Sequence, residues 1–173
     1  YFAWRYGERG RAFGRSDAGY LVTLLGHDEE AARRLVAWLA RLLAPRGMPS
    51  LLVEYQLDSL GRALRRANLS GASRLRGWAA ELRRGRLGAV DAVAMEVCER
   101  TCRDAAEGIR QRRGAGTLIA AAVADRALGY GEYDVALVRW LSDAEPKHAA
   151  WSSACAVAHA HALASLRVTV PAR

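Results

Sequence analysis

Apolar residues in this chain recur every three or four positions, and no run alternates convincingly with period two. That spacing collects them on one face of a helix and rules against a sheet. The clearest case follows Gly26-His27-Asp28, where Ala32, Leu35, Val36, Leu39, Leu42 and Leu43 form a single stripe. Asp28 is placed to cap, and Glu29 and Glu30 stand at the positive end of the helix dipole, four residues before Arg33 and Arg34. Ala44-Pro45-Arg46-Gly47 stops this helix and Pro49 opens the next, which runs to about Ala67 with Val53, Leu57, Leu60 and Leu64 inward. Asn68-Leu69-Ser70-Gly71 breaks the chain before a basic helix to about Arg84, which turns Leu75, Trp78, Ala79 and Leu82 inward.

Asp91 begins a long helix expected to reach Arg112. Its inner face carries Val93, Ala94, Val97, Cys98, Thr101, Ala105 and Ile109, and its outer face Glu96, Glu99, Arg100, Arg103 and Glu107. Short helices follow over 118–128 and 133–141, and Pro146 opens a last one to about Leu166. Leu166–Val170 alone has any strand character. In the first 16 residues Tyr1, Phe2, Trp4, Tyr6 and Phe13 mix with Arg5, Arg9, Arg11 and Arg15. There Gly7, Gly10 and Gly14 are expected to interrupt any long helix, and Ser16-Asp17 to cap a short one over 18–25. The expected fold is all-α: a compact single-domain bundle of about seven or eight helices covering residues 1–173.

At 173 residues the chain can bury a proper core. Its net charge is +8, with Lys147 its single Lys, a balance that points to nucleic acid, anionic lipid or an acidic partner. The same Arg-rich, Ala-rich usage is also what a GC-rich genome yields without selection for binding. Tyr1 in place of an initiator Met reads as a fragment or processed form, which leaves room for a neighbouring domain, and no signal segment is evident. Ala149–Leu166 holds 18 residues without a formal charge, but its Ala and two His argue for tight helix packing rather than a membrane span. Three Cys form no disulfide framework, so a reducing cytoplasm is the expected location.

Chemistry concentrates in two pairs one helical turn apart, Cys98 with Cys102 and Cys155 with His159. If their helices pack together, three thiols and an imidazole meet, a ligand set that suits zinc. His148 and His159 share a face of the last helix with Trp151, Cys155, Ala162 and Leu166, and either could bind a cofactor such as a haem or another tetrapyrrole. The bland alternative is that all three Cys are core residues. The acidic residues fall mostly on outer faces beside Arg, as solvated pairs. No pair of Glu-x-x-His motifs supports a di-iron bundle and no His-Glu-x-x-His signature is present, so no catalytic residue is named and a non-enzymatic role is expected.

Residues 62–86 hold eight Arg and one acid, Glu81. Arg62, Arg65, Arg66, Arg74, Arg76, Arg83, Arg84 and Arg86 are candidates to neutralise phosphates or another anion, and the N-terminal Arg and aromatic mixture to stack on bases. No recognised nucleic-acid motif accompanies them, and a solvated basic face explains them as well. Arg112-Arg113-Gly114-Ala115-Gly116-Thr117 before a helix could cradle a phosphate, although a helix-to-helix corner fits better because a helix, not a strand, precedes it.

Two resemblances add to this reading. Gly131, Tyr133, Ala136, Leu137 and Pro146, within residues 129–146, resemble the second half of a tetratricopeptide unit, two residues short and without a second copy; this implies a helical hairpin only. Residues 38–64, from Trp38-Leu39-Ala40-Arg41 through Met48-Pro49 to Leu60-Gly61-Arg62-Ala63-Leu64, are similar to helical segments that precede cobalamin-binding domains in bacterial sensory proteins. The Asp-x-His-x-x-Gly pattern of the cobalamin domain itself is absent, so cofactor binding is not carried over and the resemblance implies a regulatory helical domain. The resulting expectation is a sensory or regulatory module that binds a protein partner or small ligand. Its alternatives are a nucleic-acid-binding accessory protein and a metal- or tetrapyrrole-binding protein.

Overall fold

In the computed structural model, residues 1–106, 113–145 and 148–167 are described, and they form eight α-helices and no strand. The all-α expectation holds. The helices are α1 (Phe2–Thr23), α2 (Glu29–Leu43), α3 (Ser50–Arg66), α4 (Ala72–Ala89), α5 (Ala92–Ala105), α6 (Ala115–Ala127), α7 (Asp134–Asp143) and α8 (Ala149–Ala164). The chain divides into two compact units, one of residues 1–39 and 52–81, the other of residues 40–51 and 82–173.

In the first unit the caps and stops sit where local chemistry places them. Asp28 accepts a hydrogen bond from the Ala31 N–H at 2.9 Å, satisfying one of the donors left over at the start of α2. Leu21, Leu24, Ala32, Val36, Leu39, Val53, Leu57, Leu75, Trp78 and Ala79 are its buried apolar residues. The N-terminal segment departs from expectation. Only Gly7 leaves helical geometry (φ 58°, ψ −140°), kinking α1, while Gly10 and Gly14 are carried through and Ser16-Asp17 lies inside the helix. A helical glycine costs only about 1 kcal/mol against alanine, and burial of Gly10 and Leu21, with Gln56 Nε2 donating to the Gly14 carbonyl at 2.7 Å, sets tertiary support against it.

The second unit is built around α6. Its residues from Leu118 to Asp125 are all buried, and it packs against α5, α7 and α8. A helix with no polar face belongs inside a bundle. Gly116 permits the closest approach: a Cβ there would stand 2.0 Å from the Cys98 carbonyl oxygen. On α8, Trp151, Ala154, Cys155, Ala158 and Ala162 form the buried stripe, and Trp151 Nε1 donates to the Leu141 carbonyl at 2.7 Å. Asp91 caps α5 through the Ala94 N–H at 2.8 Å. α5 ends at Ala105; the expected continuation through Ile109 to Arg112, the Pro146 start and the strand-like 168–170 fall outside the described residues. No described helix is long and apolar enough to cross a membrane.

Candidate anion-binding surface and buried polar centres

The eight arginines of residues 62–86 separate into two kinds. Arg74 is absorbed by its own fold: Nε donates to Glu29 Oε2 at 2.9 Å, Nη1 to the Leu25 carbonyl at 2.7 Å and Nη2 to the His27 carbonyl at 2.9 Å, with the guanidinium over the Trp78 ring. Glu29 also takes Arg33 Nε and Trp78 Nε1 at 2.9 Å each. Hydrogen bonds from Arg33, Arg74 and Trp78 pull its carboxyl down to about 2. Arg86 is only 4% exposed, with Nη1 on Met95 Sδ, so it offers nothing to an external anion. For these two the expectation of phosphate contact is corrected, because Arg74 satisfies the protein's own acceptors and Arg86 is buried.

Arg62, Arg65, Arg66 and Arg76 are the other kind. All four are exposed and belong to the first unit. Arg62, Arg65 and Arg66 stand at i, i+3 and i+4 along α3, so they are neighbours on its surface. Arg76 joins them because its stem crosses Gly61, where a Cβ would meet Arg76 Cγ at 2.9 Å and the Ala72 carbonyl oxygen at 3.1 Å. Arg62 donates to Ser59 Oγ at 3.0 Å. Among the described residues the side chains of Arg65, Arg66 and Arg76 make no ion pair or hydrogen bond. Leu69, in the loop between α3 and α4, is 59% exposed and follows Asn68, which holds a left-handed φ of 53°. Arg83 and Arg84 are exposed as well, in the second unit.

The thiol cluster forms in part. Cys98, Cys102 and Cys155 are all wholly buried between α5 and α8. Cys98 Sγ donates to the Ala158 carbonyl at 3.2 Å, Cys102 Sγ lies 4.0 Å from the Ala154 carbonyl, and Cys102 hydrogen-bonds Cys155. Burial pushes the Cys98 thiol up to about 11. Cys102 is raised, first because its proton is held by Cys155 and then by burial, while that bond lowers Cys155. His159 does not complete the set. Its Nε2 is 2.7 Å from Asp134 Oδ2. Among the described residues no group of three or more His, Cys, Asp or Glu is arranged to hold a metal ion, so the expected zinc set of Cys98, Cys102, Cys155 and His159 is not assembled. The physical reason is that the sulfurs are engaged by one another and by α8 carbonyls, and the imidazole by a carboxylate. His148 is exposed at the N-terminal boundary of α8, three residues before Trp151, where the helix's buried stripe begins.

The phosphate corner before α6 already holds an anion of its own. Glu99 accepts from the Gly114 N–H at 2.7 Å and from the Thr117 N–H and hydroxyl at 3.1 Å each, which satisfies the donors a phosphate would have used.

A buried polar centre in the second unit was not legible in advance. Asp125, wholly buried, accepts from the Ser50 N–H and the Tyr133 hydroxyl at 2.7 Å each and from the Ser50 hydroxyl. Its pKa is raised because burial outweighs those bonds and the nearby Arg86 charge. Beside it in sequence, Arg126 Nη1 lies 3.5 Å from Asp134 Oδ2, the oxygen that His159 meets, while Asp134 Oδ1 is buried without a hydrogen-bond partner among the described residues. These two acids, with Glu54, depart from the expectation of acids on outer faces. The available signal was position: Asp125 ends a run of ten residues, 115–124, that contains no charge. No protein-family model, curated protein or solved structure matches this chain.

Proposed function

We propose that this chain is a non-enzymatic sensory or regulatory helical module that acts by binding, and that its working surface is the arginine face of α3 and α4. The observation that supports this reading is the contrast within one stretch of sequence. Arg74 is satisfied internally and Arg86 is buried, whereas Arg62, Arg65, Arg66 and Arg76 are exposed, with no acid among the described residues claiming Arg65, Arg66 or Arg76. Like charges at i and i+4 repel by a few tenths of a kcal/mol, so Arg62 and Arg66 weaken the free helix and an anion relieves that repulsion. A guanidinium group binds carboxylate or phosphate in a two-pronged geometry. The exposed Leu69 adds an apolar contact beside the charges, which favours a folded protein partner presenting Asp and Glu around a hydrophobic group.

A second reading, a nucleic-acid accessory protein, uses the same four arginines against phosphates. Titration of labelled polyglutamate and of a labelled single-stranded oligonucleotide, each at several salt concentrations, separates the two. The protein-partner reading expects polyglutamate to bind and to compete with the oligonucleotide. Preference for the oligonucleotide by a factor of ten or more, with a steep logarithmic salt slope, transfers the assignment to nucleic acid. Failure of both probes to bind at low salt contradicts the arginine surface altogether. The thiols and His148 or His159 receive no role in either reading.

A further inference from the structure

We propose that Cys102 and Cys155 are an oxidative modification site, forming a reversible disulfide that staples α5 to α8 when a peroxide is the electron acceptor. The geometry selects this pair from three cysteines. Contacts of Cys98 with Ala158 and of Cys102 with Ala154 run α5 antiparallel to α8 over one turn of each helix. Alanine at 154 and 158 lets the two backbones approach closely there. Cys155, between them in sequence and wholly buried, hydrogen-bonds Cys102 and also Ser142 of α7. Cys98 is turned to the Ala158 carbonyl instead. Cys98 and Cys102 share one helix face, with nearly parallel Cα–Cβ directions that suit a disulfide poorly.

The chemistry balances with hydrogen peroxide as oxidant. Cys155, from which the bond to Cys102 eases proton loss, attacks one peroxide oxygen as thiolate. The O–O bond breaks, Cys155 becomes a sulfenic acid, and hydroxide leaves and takes up the thiol proton as water. Cys102 sulfur then attacks the sulfenic sulfur, the S–O bond breaks, and the hydroxyl departs with the Cys102 proton as a second water. Two thiols are oxidised and one peroxide is reduced. Because both sulfurs are buried, the reaction waits on transient parting of α8 from α5, and its rate follows that opening.

The test treats the whole reduced chain with hydrogen peroxide under native conditions, then unfolds it and alkylates every remaining thiol. The expected product is two hydrogens lighter and takes one alkyl group rather than three. Trypsin separates the candidates, since cleavage after Arg100 and Arg103 releases Thr101-Cys102-Arg103 apart from Cys98. That tripeptide should appear linked to residues 148–167, Cys98 should be alkylated, and dithiothreitol should reverse the link. Cys98→Ser should give the same cross-link. Three alkyl groups after peroxide, a link through Cys98, a link between two chains, or oxidation of single cysteines to sulfinic acid without a cross-link would each overturn the proposal.

Discussion

Glu29 in the first unit and Asp125 in the second are both carboxylates, and both accept hydrogen bonds from two other residues or more, yet their pKa values move in opposite directions. Glu29 has a side chain 45% exposed and is met by two guanidinium groups and an indole N–H. Water and cations hold it ionised. Asp125 is wholly buried and is met by neutral donors from Ser50 and Tyr133, with Arg86 acting only as its smallest cause. Removal from water therefore outweighs its hydrogen bonds. The pair teaches that donor number does not decide the ionisation of a carboxylate; solvent access and the charge of its donors do.

The largest disruption of this contrast is expected from Asp125→Ala. It strands the Ser50 N–H, the Ser50 hydroxyl and the Tyr133 hydroxyl in a buried site, and chemical denaturation should show a loss of about 4 kcal/mol. Gly116→Ala should cost about 3 kcal/mol by the same measurement, because the new methyl meets backbone atoms of Cys98 that cannot swing aside. Tyr133→Phe removes one donor to Asp125 and should cost about 1 kcal/mol.

The pH dependence sharpens the comparison further. Lowering of the Glu29 pKa gives stability that is present above about 4.5 and is lost as pH falls toward about 2. Raising of the Asp125 pKa has the opposite sign: its contribution is complete below the unfolded value and is lost as pH rises through the folded one. Denaturation midpoints from pH 2 to 7 should therefore respond oppositely to Glu29→Gln, which flattens the acid limb, and Asp125→Asn, which removes the decline on raising pH. The Glu29 effect is the smallest of these, because its partners are partly exposed and screened by water.

Much of the helical framework could be read from local chemistry. The Asp28 and Asp91 caps, the Pro49 start and the inward face of Leu75, Trp78, Ala79 and Leu82 are all local signals, and all appear in the structure. What escaped depended on partners distant in sequence. Ser50 and Asp125 are 75 positions apart, Asp134 and His159 are 25 apart, and neither separation has a periodic signature. The shared face of Cys155 and His159 was real as geometry along α8, but the buried stripe is centred between Cys155 and Ala158, which leaves His159 at its edge and within reach of α7. Among the arginines, sequence revealed the cluster and not its division, since only the fold brings Glu29 to Arg74 and buries Arg86.

That division is most directly tested by one paired measurement on wild type and a variant carrying Arg62→Gln, Arg65→Gln, Arg66→Gln and Arg76→Gln. Thermal unfolding is followed with and without polyglutamate at low salt. The variant alone should melt no lower than wild type, because no acid among the described residues holds these side chains and they repel one another, and the rise polyglutamate gives wild type should be absent. A variant that melts well below wild type, or that keeps the full polyglutamate shift, would contradict the assignment of this face to binding.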